Sequence, residues 1–156
     1  MIFYNLDFNF MKNIQKVSVV SGGFDPVHSG HILYFKSAKK LGDILIVALN
    51  SDDWLIKKKG KYFMPFSERK IILENFSVID KVIDFKDDKV GSASFALIKI
   101  KEMYPNSEII FCNGGDRNQE NSTEENIEGV TYKFGVGGDS KKNSSSWILD
   151  EYTKKS

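Results

Sequence analysis

The stretch Gly22-Gly23-Phe24-Asp25-Pro26-Val27-His28-Ser29-Gly30-His31 constrains this chain more than any other. It follows the β-branched run Lys16 to Ser21 and leads directly into a helical pattern, so it reads as strand, glycine turn and helix start. Glycines let backbone approach a ligand closely, and the N–H groups of a first helical turn face that ligand with the positive end of the helix dipole. The expected occupant is an anion.

His28 and His31 are the only histidines in the chain. Three positions apart at the mouth of a helix, they share one side and can both donate to the same phosphate chain. A metal half-site or a pair of surface residues are the blander readings. No third histidine, cysteine pair or H-E-x-x-H pattern stands ready to complete a zinc shell, so phosphate contact is favoured and no protein-ligated metal is expected.

The run GGFDPVHSGH resembles the H-x-G-H signature of the nucleotidylyltransferase superfamily, and the resemblance extends roughly from Lys16 to Tyr152. It implies an α/β fold, a Rossmann-like, doubly wound parallel sheet of about five strands in a single domain. It also implies transfer of a nucleoside monophosphate from an NTP to a small phosphorylated acceptor, with release of pyrophosphate. Mg2+ would be held mainly by the NTP phosphates. Gly23, Phe24, His28, Gly30 and His31 are then expected at the nucleotide, His28 and His31 as catalytic groups, and Asp25 at the acceptor.

A chain of 156 residues, 41% hydrophobic and 28% charged, suits one globular unit. The expected organisation is an N-terminal extension over residues 1–15 and a nucleotidylyltransferase domain over residues 16–156. A net charge of +1 offers no basis for nucleic-acid or membrane binding. Cys112, the lone cysteine, has no internal partner, and no apolar stretch approaches the ~20 residues of a membrane span, so a cytoplasmic protein is expected. A homodimer is expected as well. Upstream, Tyr4, Leu6, Phe8 and Phe10 alternate with polar residues, as in a half-buried strand; the segment is either an added edge strand or lies before a true start at Met11.

Farther along, Ile32, Leu33, Phe35, Ala38 and Leu41 predict the core face of the first helix, and Asp43 to Asn50 a central parallel strand. The run Leu41 to Asp52, LGDILIVALNSD, resembles ADP-heptose synthases and glycerol-3-phosphate cytidylyltransferases more than the cofactor-making adenylyltransferases. Trp54 to Lys61 reads as a short helix capped by Ser51 that opens into a basic glycine loop over the active edge. By the resemblance, Lys58 falls on a catalytic lysine and a second one on Gly60, which leaves Lys59 as a catalytic candidate and Lys61 as a substrate contact. A solvated surface is the other reading of this run.

Ser67 is the predicted cap of a helix with Ile71, Ile72 and Phe76 facing the core. Arg69 in that helix is either a bidentate phosphate contact, as the resemblance implies, or the partner of a neighbouring acid. Strands are expected at Lys81 to Phe85, Glu108 to Asn113 and Val130 to Phe134, and a helix from about Ser92 to Tyr104 with Phe95, Ile98 and Met103 in the core. Gly114, Gly115, Asp116 and Arg117 form a second glycine turn on the same edge, either a plain tight turn or a site where Gly114 and Asp116 meet the nucleotide and Arg117 the acceptor. The loop from Arg117 to Glu128 would cover the acceptor side. Ser144, Ser145 and Ser146 start the last helix; they could simply cap it, but they resemble a motif whose hydroxyls hold a triphosphate, with Ser146 foremost. The arginine that precedes this motif in the family is absent: Asp139 stands there, and Lys141 or Lys142 would have to serve.

Ser77, in place of a cytidylyltransferase-like arginine, and the acidic run after Phe85 favour ATP with a sugar 1-phosphate of the heptose type. The alternatives are a CTP-dependent cytidylyltransferase acting on glycerol 3-phosphate or another polyol phosphate, a phosphopantetheine-type adenylyltransferase, and a non-catalytic nucleotide sensor.

Overall fold

The computed structural model describes residues 14–115, 126–138 and 144–156. The alternating segment Tyr4 to Phe10 and the alternative start at Met11 lie outside the described residues, as do Asp116, Arg117, Asp139, Lys141 and Lys142.

In chain order the elements are β1 (Lys16–Gly22), α1 (Ser29–Lys39), β2 (Ile44–Leu49), α2 (Asp52–Lys59), α3 (Phe66–Glu74), β3 (Lys81–Ile83), α4 (Ser94–Met103), β4 (Glu108–Gly114), β5 (Val130–Val136) and α5 (Ser145–Lys154). The five strands form one sheet in the order β3-β2-β1-β4-β5, and every pairing is parallel. Parallel neighbours require crossovers, and the helices supply them on both faces, as the expected doubly wound sheet demands. The chain builds outward from β1 in one direction through β3, then returns to β4 on the other side. That reversal opens a crevice at the carboxyl ends of β1 and β4, next to the glycine turn.

Strand alternation separates two cores. Val20, Leu45, Val47, Leu49, Ile110 and Cys112 meet Phe35 and Ala38 of α1 and Leu73 of α3 on one face. Val17, Val19, Ile46, Ala48, Ile109 and Phe111 meet Ala96, Leu97 and Ile100 of α4 on the other. Central strands covered on both sides explain the near-continuous apolar runs of β1, β2 and β4.

The helices correct several expectations. Phe35 and Ala38 are buried in α1, but Ile32, Leu33 and Leu41 are exposed. Helix α3 is capped at Pro65, not Ser67, and presents Arg69 and Leu73 inward while Ile71 is exposed. In α4 the inward stripe is Ala96, Leu97 and Ile100, with Phe95 and Ile98 outside. In each case a helix with apolar residues on more than one side can satisfy its periodicity in two ways, and the sheet's surface chooses between them.

A pair of substitutions tests this register. Leu97→Ala, at a position 0% exposed, should cost about 2–5 kcal/mol in urea denaturation, whereas Phe95→Ala, at 43% exposure, should cost under about 1 kcal/mol.

Candidate functional site

The turn after β1 is held from below rather than by its own glycines. Arg69 is 1% exposed, and its guanidinium donates to Gly23 O (Nη1, 2.8 Å), Asn50 O (Nη1, 2.8 Å) and Met64 O (Nε, 3.0 Å). Its Nη2 pairs with Asp52 Oδ1 at 2.7 Å. One side chain thereby ties the glycine turn, the end of β2, the start of α2 and the loop before α3. Asp25 completes the frame, its buried carboxylate accepting from the N–H groups of Phe63 (2.6 Å) and Met64 (2.7 Å). Arg69 thus forms the ion pair that was the alternative reading of this residue and lines neither of the two cavities described below, while the Asp25 carboxylate grips the chain's own loop.

Between those anchors Phe24 takes the left-handed conformation, φ 48°, where a residue with a Cβ is strained. Its ring sets the next helix, packing edge-on against His31 (4.9 Å between centroids) and Phe35 (5.0 Å).

The two histidines cap α1 reciprocally. The Gly30 N–H donates to His28 Nδ1 (3.1 Å), and the His28 N–H donates to His31 Nδ1 (3.2 Å). Each Nδ1 is therefore an acceptor, which places the proton of each neutral ring on Nε2. The rings stack with centroids 3.7 Å apart. Burial above all, with the neighbouring His28 and Lys59 charges, pushes the His31 pKa down to about 3, so this ring is neutral at neutral pH. What it offers a phosphate is a hydrogen bond of fixed direction, not a charge.

Positive charge comes from elsewhere. Lys57, Lys58 and Lys59 occupy the last turn of α2, and Gly60 ends the helix at φ 84°. Cations at that end offset the helix dipole, so the helix continues to Lys59 where a loop was expected. Lys59 lines a cleft of about 430 Å³ together with Gly22, Gly23, Phe24, His28, Gly30 and His31. Lys58 sits over the Trp54 ring, 4.4 Å from its centroid, and lines an adjoining hollow of about 200 Å³. Lys61 lines neither.

The opposite wall is the start of α5. The Ser144 hydroxyl accepts from the Trp147 N–H (3.3 Å) and caps the helix, while the Ser145 hydroxyl donates to Pro26 O (2.7 Å), binding this end to the glycine turn. Ser146 is exposed on the cleft wall. The N-termini of α1 and α5 thus converge on one space, and Gly114 and Gly115 close its far end.

Several lining residues escaped the sequence reading: Ser21, Tyr34, Asn113, and Gly137 with Gly138. The signal for the glycines was the run Gly135, Gly137, Gly138. Gly137 adopts φ 89° and lies so close to α1 that a Cβ would come within 3.1 Å of Tyr34 Cα. Tyr34 in turn donates its hydroxyl to Cys112 O. A tyrosine in an amphipathic helix carries no mark in sequence that its hydroxyl will reach a strand across the cleft.

Comparison with known proteins follows from this geometry. The sequence model of the Cytidylyltransferase-like family matches residues 19–151. Bifunctional protein HldE of Enterobacter sp. (strain 638) is 36% identical over 116 residues, covering 67% of this chain and 24% of the relative. Its counterpart in Klebsiella pneumoniae subsp. pneumoniae is 35% identical over 116 residues, with the same shares of 67% and 24%. The chain spans about a quarter of the length of these curated relatives. Among solved structures, the lipopolysaccharide core biosynthesis protein from Thermoplasma volcanium GSS1 aligns with a TM-score of 0.58 and 25% identity, covering 84% of this chain and 100% of that one. A Vibrio parahaemolyticus structure assigned as a nicotinate-nucleotide adenylyltransferase aligns with a TM-score of 0.62 over 91% of this chain and 89% of that one, at 16% identity, a likeness of fold alone.

Two measurements check the site's framework. Arg69→Met should destabilise the fold by about 3–5 kcal/mol, because it leaves Gly23 O, Asn50 O and Asp52 without their donor; loss of turnover with unchanged urea stability would instead restore the phosphate-contact role. In nitrogen-detected NMR, His31 should remain the Nε2–H tautomer from pH 8 to pH 5. Its folded pKa of about 3 lies below the unfolded 6.5, so the unfolded chain binds the proton first and stability falls as pH drops from about 6.5 toward 3.

Proposed function

The chain belongs to the cytidylyltransferase-like family of nucleotidyltransferases, and from that premise we propose that the cleft transfers a nucleoside monophosphate, AMP by first choice, from an NTP to the phosphate of a sugar 1-phosphate. The observation that carries this reading is the convergence of two helix N-termini, both histidines and Lys59 on one cleft whose described lining contains no carboxylate. Such a wall suits a polyanion and little else.

The acceptor phosphate is ionised at neutral pH, so it needs no general base. One of its oxygens attacks the α-phosphorus, the bond from that phosphorus to the bridging oxygen breaks, and pyrophosphate leaves with the electron pair. Catalysis is then alignment and neutralisation of charge. His28 and His31 would hold the phosphate chain by Nε2–H donors, Ser146 and the α5 N-terminus would take its far end, and Lys58 and Lys59 would meet charge developing on the leaving oxygens. Gly114 would flank the ribose and base. Arg69 and Asp25 act here only by fixing the turn and loop that carry these groups.

Among the described residues no group of three His, Cys, Asp or Glu side chains could hold a metal ion. We take magnesium to arrive on the nucleotide's own phosphate oxygens, where it would supply further neutralisation. The preference for ATP and a heptose-type acceptor rests on the likeness to HldE and on Ser77.

Pyrophosphate release from ATP and CTP across heptose 1-phosphate, glucose 1-phosphate and glycerol 3-phosphate tests the proposal. The expected result is turnover with ATP and a sugar 1-phosphate, and a loss of about 10²–10³-fold in kcat/KM for His31→Ala. Turnover confined to CTP and glycerol 3-phosphate would make the protein a polyol-phosphate cytidylyltransferase. Normal activity in His31→Ala would remove the histidines from the phosphate site.

A further inference from the structure

Asn113 is 4% exposed, lines the cleft at the carboxyl end of β4, and its Nδ2 has no hydrogen-bond partner among the described residues. A buried amide left in that state destabilises a fold, so an unpaired donor at the wall of a binding cleft points to a ligand that supplies the missing acceptor. The pairing of β4 with β5 is also irregular between Cys112 and Gly114, an interruption of the ladder at this residue of the kind found beside binding sites.

Strand alternation says which substrate that ligand belongs to. Asn113 continues the row Ile109 and Phe111, which faces α4, whereas α1 packs against the row Ile110 and Cys112. Ser21 and Asn50 extend the matching rows of β1 and β2, so three small polar side chains occupy the α4 side of the carboxyl edge. Ser21 lines both the main cleft, with Asn113, and the smaller hollow, with Asn50 and Lys58, so this row stands where the two spaces adjoin beside His31. The nucleotide's phosphates already have donors on the α1 and α5 side, and in the reading above Lys58 and Lys59 meet the charge that develops on the leaving oxygens. A neutral amide matches what remains, the uncharged hydroxyls of the acceptor.

We infer that Asn113 is a specificity-determining residue that donates from its side-chain amide to a hydroxyl oxygen of a polyhydroxylated acceptor bound on the α4 side of the sheet edge. This rests on the nucleotidyl-transfer reading above. Asn113→Leu keeps the branched shape and removes the amide; Asn113→Ala removes both. Both variants should melt at or above the wild-type temperature, since an unpaired buried polar group is gone. In pyrophosphate-release assays with ATP and heptose 1-phosphate, both should raise the acceptor KM by about five- to tenfold, the size of one lost neutral hydrogen bond, and leave the KM for ATP unchanged.

An unchanged acceptor KM in both variants overturns the inference while leaving nucleotidyl transfer intact. Recovery by Leu but not Ala overturns it too, because shape would then be the cause. A rise in the ATP KM assigns the amide to the nucleotide, and a fall of several degrees in melting temperature assigns it to the fold; either outcome defeats the inference. If the wild-type protein turns over no NTP with any of the three acceptors, the nucleotidyl-transfer reading itself fails and this inference falls with it.

Discussion

The buried guanidinium of Arg69 is the interaction on which the site depends. Backbone carbonyls at the end of a parallel strand and in a tight turn need donors, and no neighbouring strand supplies them at Gly23 and Asn50. A planar fork with several fixed donors can reach both while also pairing with Asp52 at the start of α2. Its burial would be costly alone; four partners offset that cost and make the geometry unique. Asp25 works in the opposite sense, offering two acceptors to the N–H groups of Phe63 and Met64. A cation and an anion, both withdrawn from solvent, hold the loops so that the exposed groups can meet ligand.

That division of labour separates charge from direction in the cleft. His31 is buried enough to stay neutral and is oriented by its own helix cap, so it contributes a directed donor. Lys58 and Lys59, at the exposed end of α2, contribute the positive charge. Helix N-termini add partial positive charge that requires no proton and does not titrate. In the proposed reaction a polyanion would have its phosphates aligned by the directed donors and its charge met by the lysines, an arrangement suited to charge that migrates toward a leaving group.

The glycine turn, both histidines, all five strands, the Ser51 cap and the serine-started last helix were legible in the amino-acid order, because each is specified by neighbours within a few residues: β-branched runs, a small polar residue before a helix, glycines where backbone must turn. The direction in which side chains point was less legible. Phe95 and Leu97 both satisfy a helical stripe, and only the curved surface of the sheet decides that Leu97 goes in. Ser67 and Pro65 both offer a helix start, and the grip of Asp25 on Phe63 and Met64 brings the chain in at Pro65.

The sequence by itself thus determined the architecture and the chemical character of the cleft, since periodicity and local turn chemistry act through neighbours along the chain. Only the tertiary structure decided that Arg69 and Asp25 serve the frame, that Lys59 reaches the main cleft while Lys61 does not, and that Asn113 stands on the α4 side with its amide unpaired. Those roles depend on partners tens of residues away, from Gly23 with Arg69 to Asp25 with Met64. A side chain's hydrogen bonds are assigned by which groups the packed elements bring within 3 Å or so of it, and no spacing along the chain encodes that distance.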